Sequence, residues 1–119
     1  MLDAAHAAMF FWRMVGSDRQ RAHAELLLAH VYAFAGEVVP ATRYLGRARL
    51  VLEASETAPW ERALVHAVAA NVAFAAGDAR LHAEHHQAAA HAVAALTDAE
   101  DRAILQATLD VLPSPEQRS

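Results

Sequence analysis

The chain has no cysteine and no lysine, only 4 glycines and 4 prolines, and aromatics at just 7% of its 119 residues. Without cysteine there is no disulfide framework, no thiol nucleophile and no thiolate metal site, and a reducing cytoplasm is the compartment expected. No run approaches the roughly 18–20 apolar residues that a membrane helix needs. The apolar patch Met9-Phe10-Phe11-Trp12 is only a few residues long, with neither a basic lead-in nor a small-residue cleavage site. The expectation is therefore a protein that is neither secreted through a cleaved signal nor membrane-spanning. The 10 basic residues, all arginine, stand against 14 acidic ones for a formal charge of −4. That balance argues against nucleic acid or an anionic membrane as partner.

Hydrophobic residues make up 55% of the sequence, and alanine, the best helix former, is the commonest of them. An all-α fold follows. A short phrase is written twice, Ala33-Phe34-Ala35-Gly36 and Ala73-Phe74-Ala75-Ala76-Gly77, each time closing an apolar run and preceding a new helical pattern. Repetition at such a period marks stacked helix pairs, each burying its apolar face against a neighbour. The pattern predicts six helices, over 2–15, 18–35, 38–55, 59–76, 79–96 and 98–111. Ser17 with Gln20, and Thr97 with Glu100, have capping-box spacing. Gly16, Gly36 and Gly77 stand where a left-handed helix terminator is wanted, Asp78 can cap the next helix, and Pro40 and Pro59 fall in first turns. Short connections make neighbouring helices antiparallel. The expected organisation is one domain over 1–112 and a disordered tail over 113–119.

The helix over 18–35 is apolar on nearly every side, through Leu26, Leu27, Leu28, Val31, Tyr32 and Phe34, and is expected to be the most enclosed. The helix over 38–55 has a cleaner stripe at Ala41, Leu45, Ala48 and Leu52, with Arg43 and Arg47 on the opposite face. The two arginines, four apart, read as a solvated face rather than a phosphate contact, since no interleaved aromatics or glycine-rich loop accompany them.

From Leu28 to Ala48 the spacing resembles a tetratricopeptide repeat: Leu28, Ala29, Tyr32, Gly36, Ala41, Leu45 and Ala48 occupy that motif's positions. In the second copy Gly77 and Ala89 fit, while Ala73 stands where the aromatic belongs and His82 and His86 at the small and large positions. The copies lie 40–41 residues apart, against 34 in the family. Further words, Trp12-Arg13-Met14-Val15-Gly16, Arg21-Ala22-His23-Ala24-Glu25 and Ala99-Glu100-Asp101-Arg102, make the whole chain similar to short bacterial tetratricopeptide-like proteins. The resemblance implies helical hairpins stacked as a right-handed superhelix and used for protein contacts, with no catalytic residues and no cofactor. It also implies that the first helix of each pair lines a groove. By position this places His23, Leu26, His30, Ala33 and Phe34 beside Leu64, Ala67, Asn71 and Phe74, with His30 and Asn71 where peptide-binding members often keep an amide. The basic residues of a carboxylate clamp are missing at the matching places.

Of 8 histidines, His82, His85, His86 and His91 lie in one predicted helix. His82 and His86, at i and i+4, have the spacing to chelate a divalent metal. Helical geometry places His85 near the middle of a stripe of Leu81, Ala89, Ala92 and Leu96, with His91 pointing away. The favoured reading is that these histidines pack against alanine or border a subunit contact, and that the protein holds no metal. The acidic run Asp98, Glu100 and Asp101 suits a helix N-terminus. The serines fall in caps, loops and tail without a base nearby, so a nucleophilic triad is not expected. Phe10, Phe11 and Trp12 are consecutive, so one helix cannot turn all three to the same core. They are the candidate contact of a homodimer. The leading expectation is a non-enzymatic adaptor or self-associating module that binds a protein or peptide. The alternative is a helical metal- or small-molecule-binding protein built on the histidine-rich helix.

Overall fold

The computed structural model describes residues 17–54 and 57–115. The described residues form five α-helices and no strand: α1 Asp18–Phe34, α2 Val38–Glu53, α3 Pro59–Ala75, α4 Ala79–Ala94 and α5 Ala99–Asp110. The helix expected over 2–15, together with Gly16, Phe10, Phe11 and Trp12, lies outside the described residues. The chain divides into two compact units, residues 1–56 and 57–119. No described helix is long and apolar enough to cross a membrane.

Each helix start has an identifiable cause. Ser17 Oγ accepts from the Gln20 amide at 3.2 Å while Gln20 Oε1 accepts from the Ser17 amide at 2.8 Å, a complete reciprocal cap for α1. Asp78 accepts from the Leu81 amide at the head of α4. At α5 the cap is Asp98, which accepts from the Asp101 amide at 2.8 Å, and not the expected Thr97. A carboxylate one residue later supplies both an acceptor and a negative charge at the helix N-terminus, so it displaces the threonine. Pro59 opens α3, where the buried Glu61 reaches back to the Ala58 amide at 2.8 Å.

Two of the helix ends are built alike. Gly36 and Gly77 take φ of 76° and 78°, the left-handed region that glycine enters without side-chain strain. Around Gly36 the Glu37 amide donates to Tyr32 O at 2.9 Å and the Gly36 amide to Ala33 O at 3.0 Å. Around Gly77 the Asp78 amide donates to Ala73 O at 2.9 Å and the Gly77 amide to Phe74 O at 3.0 Å. This is the same pair of nested bonds that closes a glycine-terminated helix and reverses the chain.

In the first unit, α1 and α2 form a hairpin. Ala24, Leu28 and Val31 pack with the half-buried Tyr32 and Tyr44. The predicted stripe of α2, Ala41, Leu45, Ala48 and Leu52, is buried throughout. In the second unit, Ala63 clusters with Val93, and Ala67 with Ala89, so residue numbers rise along α3 as they fall along α4 and the two helices are antiparallel. Leu105 joins the Ala63–Val93 cluster and Leu109 the Ala67–Ala89 cluster, which lays α5 along both. Alanine at these contacts lets backbones approach closely, while each fully buried leucine or valine contributes about 1.5–3 kcal/mol.

The most enclosed helix is α3, not α1. Every residue of α3 from Ala67 to Ala73 is buried, whereas Leu27 and Phe34 of α1 are each 46% exposed. The α3 run is alanine, valine and one asparagine, whereas on α1 Leu26 and Leu28 are buried and Leu27 lies on the face turned to solvent.

Candidate functional site

The polar chemistry of the first unit sits between α1 and α2. Arg47 Nε lies 2.7 Å from Glu25 Oε2, with the Glu25 side chain 4% exposed and that of Arg47 45% exposed. Oε2 has the distance of an ion pair without the alignment of a directed hydrogen bond, so the attraction at that atom is chiefly Coulombic. The Arg47 guanidinium also sits 5.7 Å from the Tyr44 ring centre, and that of Arg43 sits 5.8 Å from it. Tyr44 in turn stacks on Tyr32 of α1, ring centres 5.9 Å apart and planes 2° from parallel. The expectation of a purely solvated arginine face therefore fails at Arg47. A buried carboxylate needs compensating charge, and Arg47 contributes to it while keeping part of its head in water.

Of the expected groove residues on α1, His23 is half-buried. His30 meets Phe34 edge-to-face, ring centres 4.6 Å apart, and burial lowers the His30 pKa, favouring the neutral ring. Phe34 presents nearly half of its surface to solvent. On α3, Asn71 is buried at 2% exposure, the environment of a packed side chain. Phe74 is half-buried and packs edge-to-face on His82 at 5.1 Å.

The histidines of the second unit divide into two arrangements. His82 is completely buried and its Nε2 lies 2.7 Å from Pro113 O. A carbonyl only accepts, so Nε2 carries the proton and donates it. His86 meets the His82 ring at 79°, centres 6.0 Å apart. Of His82 and His86, the pair named for metal chelation in the alternative reading, one ring thus lies in a core with its Nε2 bonded to a carbonyl. Pro113 O accepts from His82 and Leu112 is buried, and of the tail expected over 113–119 the residues 116–119 lie outside the described residues. The buried face of α4 runs through His82, Ala89 and Val93, continuing at Leu96, whereas Leu81 is 36% exposed. The stripe is thus centred one residue later than periodicity alone placed it, and His91 is exposed.

The second arrangement joins two helices. His66 of α3 and His85 of α4 bring their Nδ1 atoms to 3.1 Å, with ring centres 5.4 Å apart and planes tilted by 34°. Sequence reasoning placed no role on His66, whose partner lies 19 residues away. The available signal was the turn at Gly77, which folds α4 back along α3. Among the described residues no three His, Asp or Glu side chains are grouped to hold a metal ion.

Between α3 and α5 an open apolar cavity of about 260 Å³ is lined by Trp60, Leu64, Asp101, Ile104, Leu105 and Thr108. The Thr108 hydroxyl is already bonded to Ile104 O at 3.1 Å, and Asp101 is the single ionisable group of the lining. That set can contact an apolar group but offers no paired acid and base. Compared with protein-family models, with curated proteins and with solved structures, the chain matches none.

Proposed function

We propose that this chain is a non-enzymatic helical-repeat module for protein contacts, of tetratricopeptide-like build, that associates with itself or with a protein segment. The observation that carries the reading is the duplicated hairpin turn: the same glycine geometry and nested hydrogen bonds recur at Gly36 and Gly77, 41 residues apart. Duplicated helix pairs are the building unit of repeat proteins, whose common use is the display of side chains to other proteins. The exposed apolar side chains Leu27, Phe34, Leu50, Ile104 and Val111 support the reading, since contact with a partner would remove them from water. On this reading the partner-facing groups of α1 are His23, His30 and Phe34. The stacking of hairpins as a right-handed superhelix, a sixth helix over 2–15 and a homodimer contact at Phe10, Phe11 or Trp12 belong to the same proposal.

Light scattering on the full chain tests it. The expected result is twice the 12.9 kDa chain mass at micromolar concentration, with Phe11→Glu or Trp12→Glu shifting the mass toward monomer. A strictly monomeric wild type, with both charged variants equally stable and unchanged, overturns self-association at this patch.

A further inference from the structure

We propose that the groove between α3 and α5 docks a basic amphipathic helix of a protein partner, which seats one large apolar side chain in the cavity and sets an arginine or lysine against Asp101. The site rests on the reading of the chain as a module for protein contacts, to which it adds the partner's chemistry.

Cavity size decides the kind of occupant. At about 260 Å³ the space falls below the roughly 300–1,000 Å³ of sites that enclose a small molecule. An open pocket of that size suits a single anchoring side chain of a larger partner. The apolar surface also continues past the cavity. Along α5, Asp101, Ile104, Thr108 and Val111 are spaced 3, 4 and 3 residues apart, so they share about a quarter of the helix circumference over ~15 Å. Ile104 is 57% and Val111 65% exposed, while Leu105 and Leu109 beside them are buried. Two exposed apolar side chains two turns apart match the spacing at which an amphipathic helix carries its own anchors.

Charge decides the partner's sign. Asp98, Glu100, Asp101 and Asp110 of α5 and its cap stand against Arg102 alone. Arg102 and, on α3, Arg62 are turned to the backbone carbonyls of Leu96 and Thr57. Asp101 borders the cavity, and among the described residues no basic side chain forms an ion pair with it. The polar atoms of the α5 wall only accept: Asp101 is a carboxylate, and the Thr108 hydroxyl has given its hydrogen to Ile104 O. The partner must therefore bring donors and positive charge. An arginine or lysine one turn from an apolar anchor brings both, and an acidic segment is repelled.

Fluorescence polarisation of the full chain tests the site with a labelled helical peptide of about 14 residues, leucine at i, i+3, i+4 and i+7 and arginine at the flanking positions. A second peptide carries glutamate in place of each arginine. The expected result is micromolar binding of the arginine peptide alone, with the amide resonances of Ile104, Leu105 and Thr108 shifting most in NMR. Ile104 is exposed, so Ile104→Glu leaves the buried face of α5 intact. It should weaken binding about tenfold through the loss of one apolar anchor. Asp101→Asn should weaken it about 2–5-fold, the effect of a partly exposed ion pair. Gln87→Glu adds the same charge on α4, outside the lining, and should change nothing.

Binding that Ile104→Glu leaves unchanged or tightens overturns the proposal, because charge alone then attracts the peptide. Equal binding of the glutamate peptide, no binding of the arginine peptide, or largest shifts on α1 overturn it as well. So does an Ile104→Glu chain that scatters as a monomer where wild type is a dimer, since a second copy then occupies the groove. A dimer that forms while neither peptide binds sinks this site and leaves the protein-contact reading standing.

Discussion

Glu25 and Arg47 stand at equal distances from Gly36 along the chain, eleven residues before it and eleven after, and their side chains meet at 2.7 Å across the hairpin. The carboxylate is buried and the guanidinium reaches it from the solvent edge. Removing Arg47 takes a cation from beside a buried negative charge, whereas removing both charges relieves that cost. Because Arg47 is about half exposed, Arg47→Ala is expected to cost about 1–3 kcal/mol rather than the full penalty of a buried pair. A double-mutant cycle with Glu25→Gln and Arg47→Met, read by urea denaturation, should show coupling above about 0.5 kcal/mol. Strict additivity contradicts a direct interaction.

The glycines separate conformational from steric effects. A Cβ added at Gly36, Gly46 or Gly77 meets nothing within 4 Å, yet only Gly36 and Gly77 have positive φ. Gly36→Val and Gly77→Val should each destabilise by about 1–2 kcal/mol through backbone strain. Gly46→Ala lies inside α2 and should stabilise by about 0.5–1 kcal/mol. Thermal unfolding followed by circular dichroism orders the three, and an equal loss at all three positions contradicts this assignment.

Stability in the first unit should depend on pH through His30. Burial lowers its pKa in the folded chain, so on acidification the unfolded state binds the proton first. The stability this neutral ring contributes is fully present above the ordinary imidazole pKa and is lost as pH falls toward the lowered value. Between pH 7 and pH 5, His30→Gln should therefore lose less stability than wild type, by at most about 1.4 kcal/mol per pH unit. Parallel losses in both chains would show that His30 titrates alike folded and unfolded.

His82 should act as a pin for the C-terminal end. His82→Ala removes a completely buried ring and its bond to Pro113 O, for an expected loss of about 2–4 kcal/mol. His82→Phe restores volume without the donor. In both variants hydrogen exchange should quicken at Leu112 and Ser114 before it quickens in α3. Unchanged exchange there would mean the segment is held without the histidine.

Local signals were the most legible. Ser17 with Gln20, the Gly36 and Gly77 turns, Asp78 and the α2 stripe all rest on interactions between residues a few positions apart, which spacing alone reveals. What periodicity missed depends on which of several apolar faces a neighbour covers. Leu81 and His82 differ by one helical step, and only the packing of Phe74 and Pro113 decides that the histidine goes inside. Thr97 lost the cap to Asp98 for a similar reason, two adjacent residues being chemically fit for one place. The Glu25–Arg47 and His66–His85 pairs join separate helices and become readable only when the chain is folded about its turn glycines.

Those turns also bear on how the chain acquires its structure. Each glycine reversal is closed by bonds spanning only a few residues, and each hairpin finds its partner helix immediately next in sequence. Loop-closure entropy is therefore small, and the topology falls in the low contact-order class that folds in microseconds to milliseconds. During synthesis, α1 has its α2 partner to pack against before α4 has left the ribosome, so the paired backbone and its buried Glu25 need not wait in water for distant sequence to arrive.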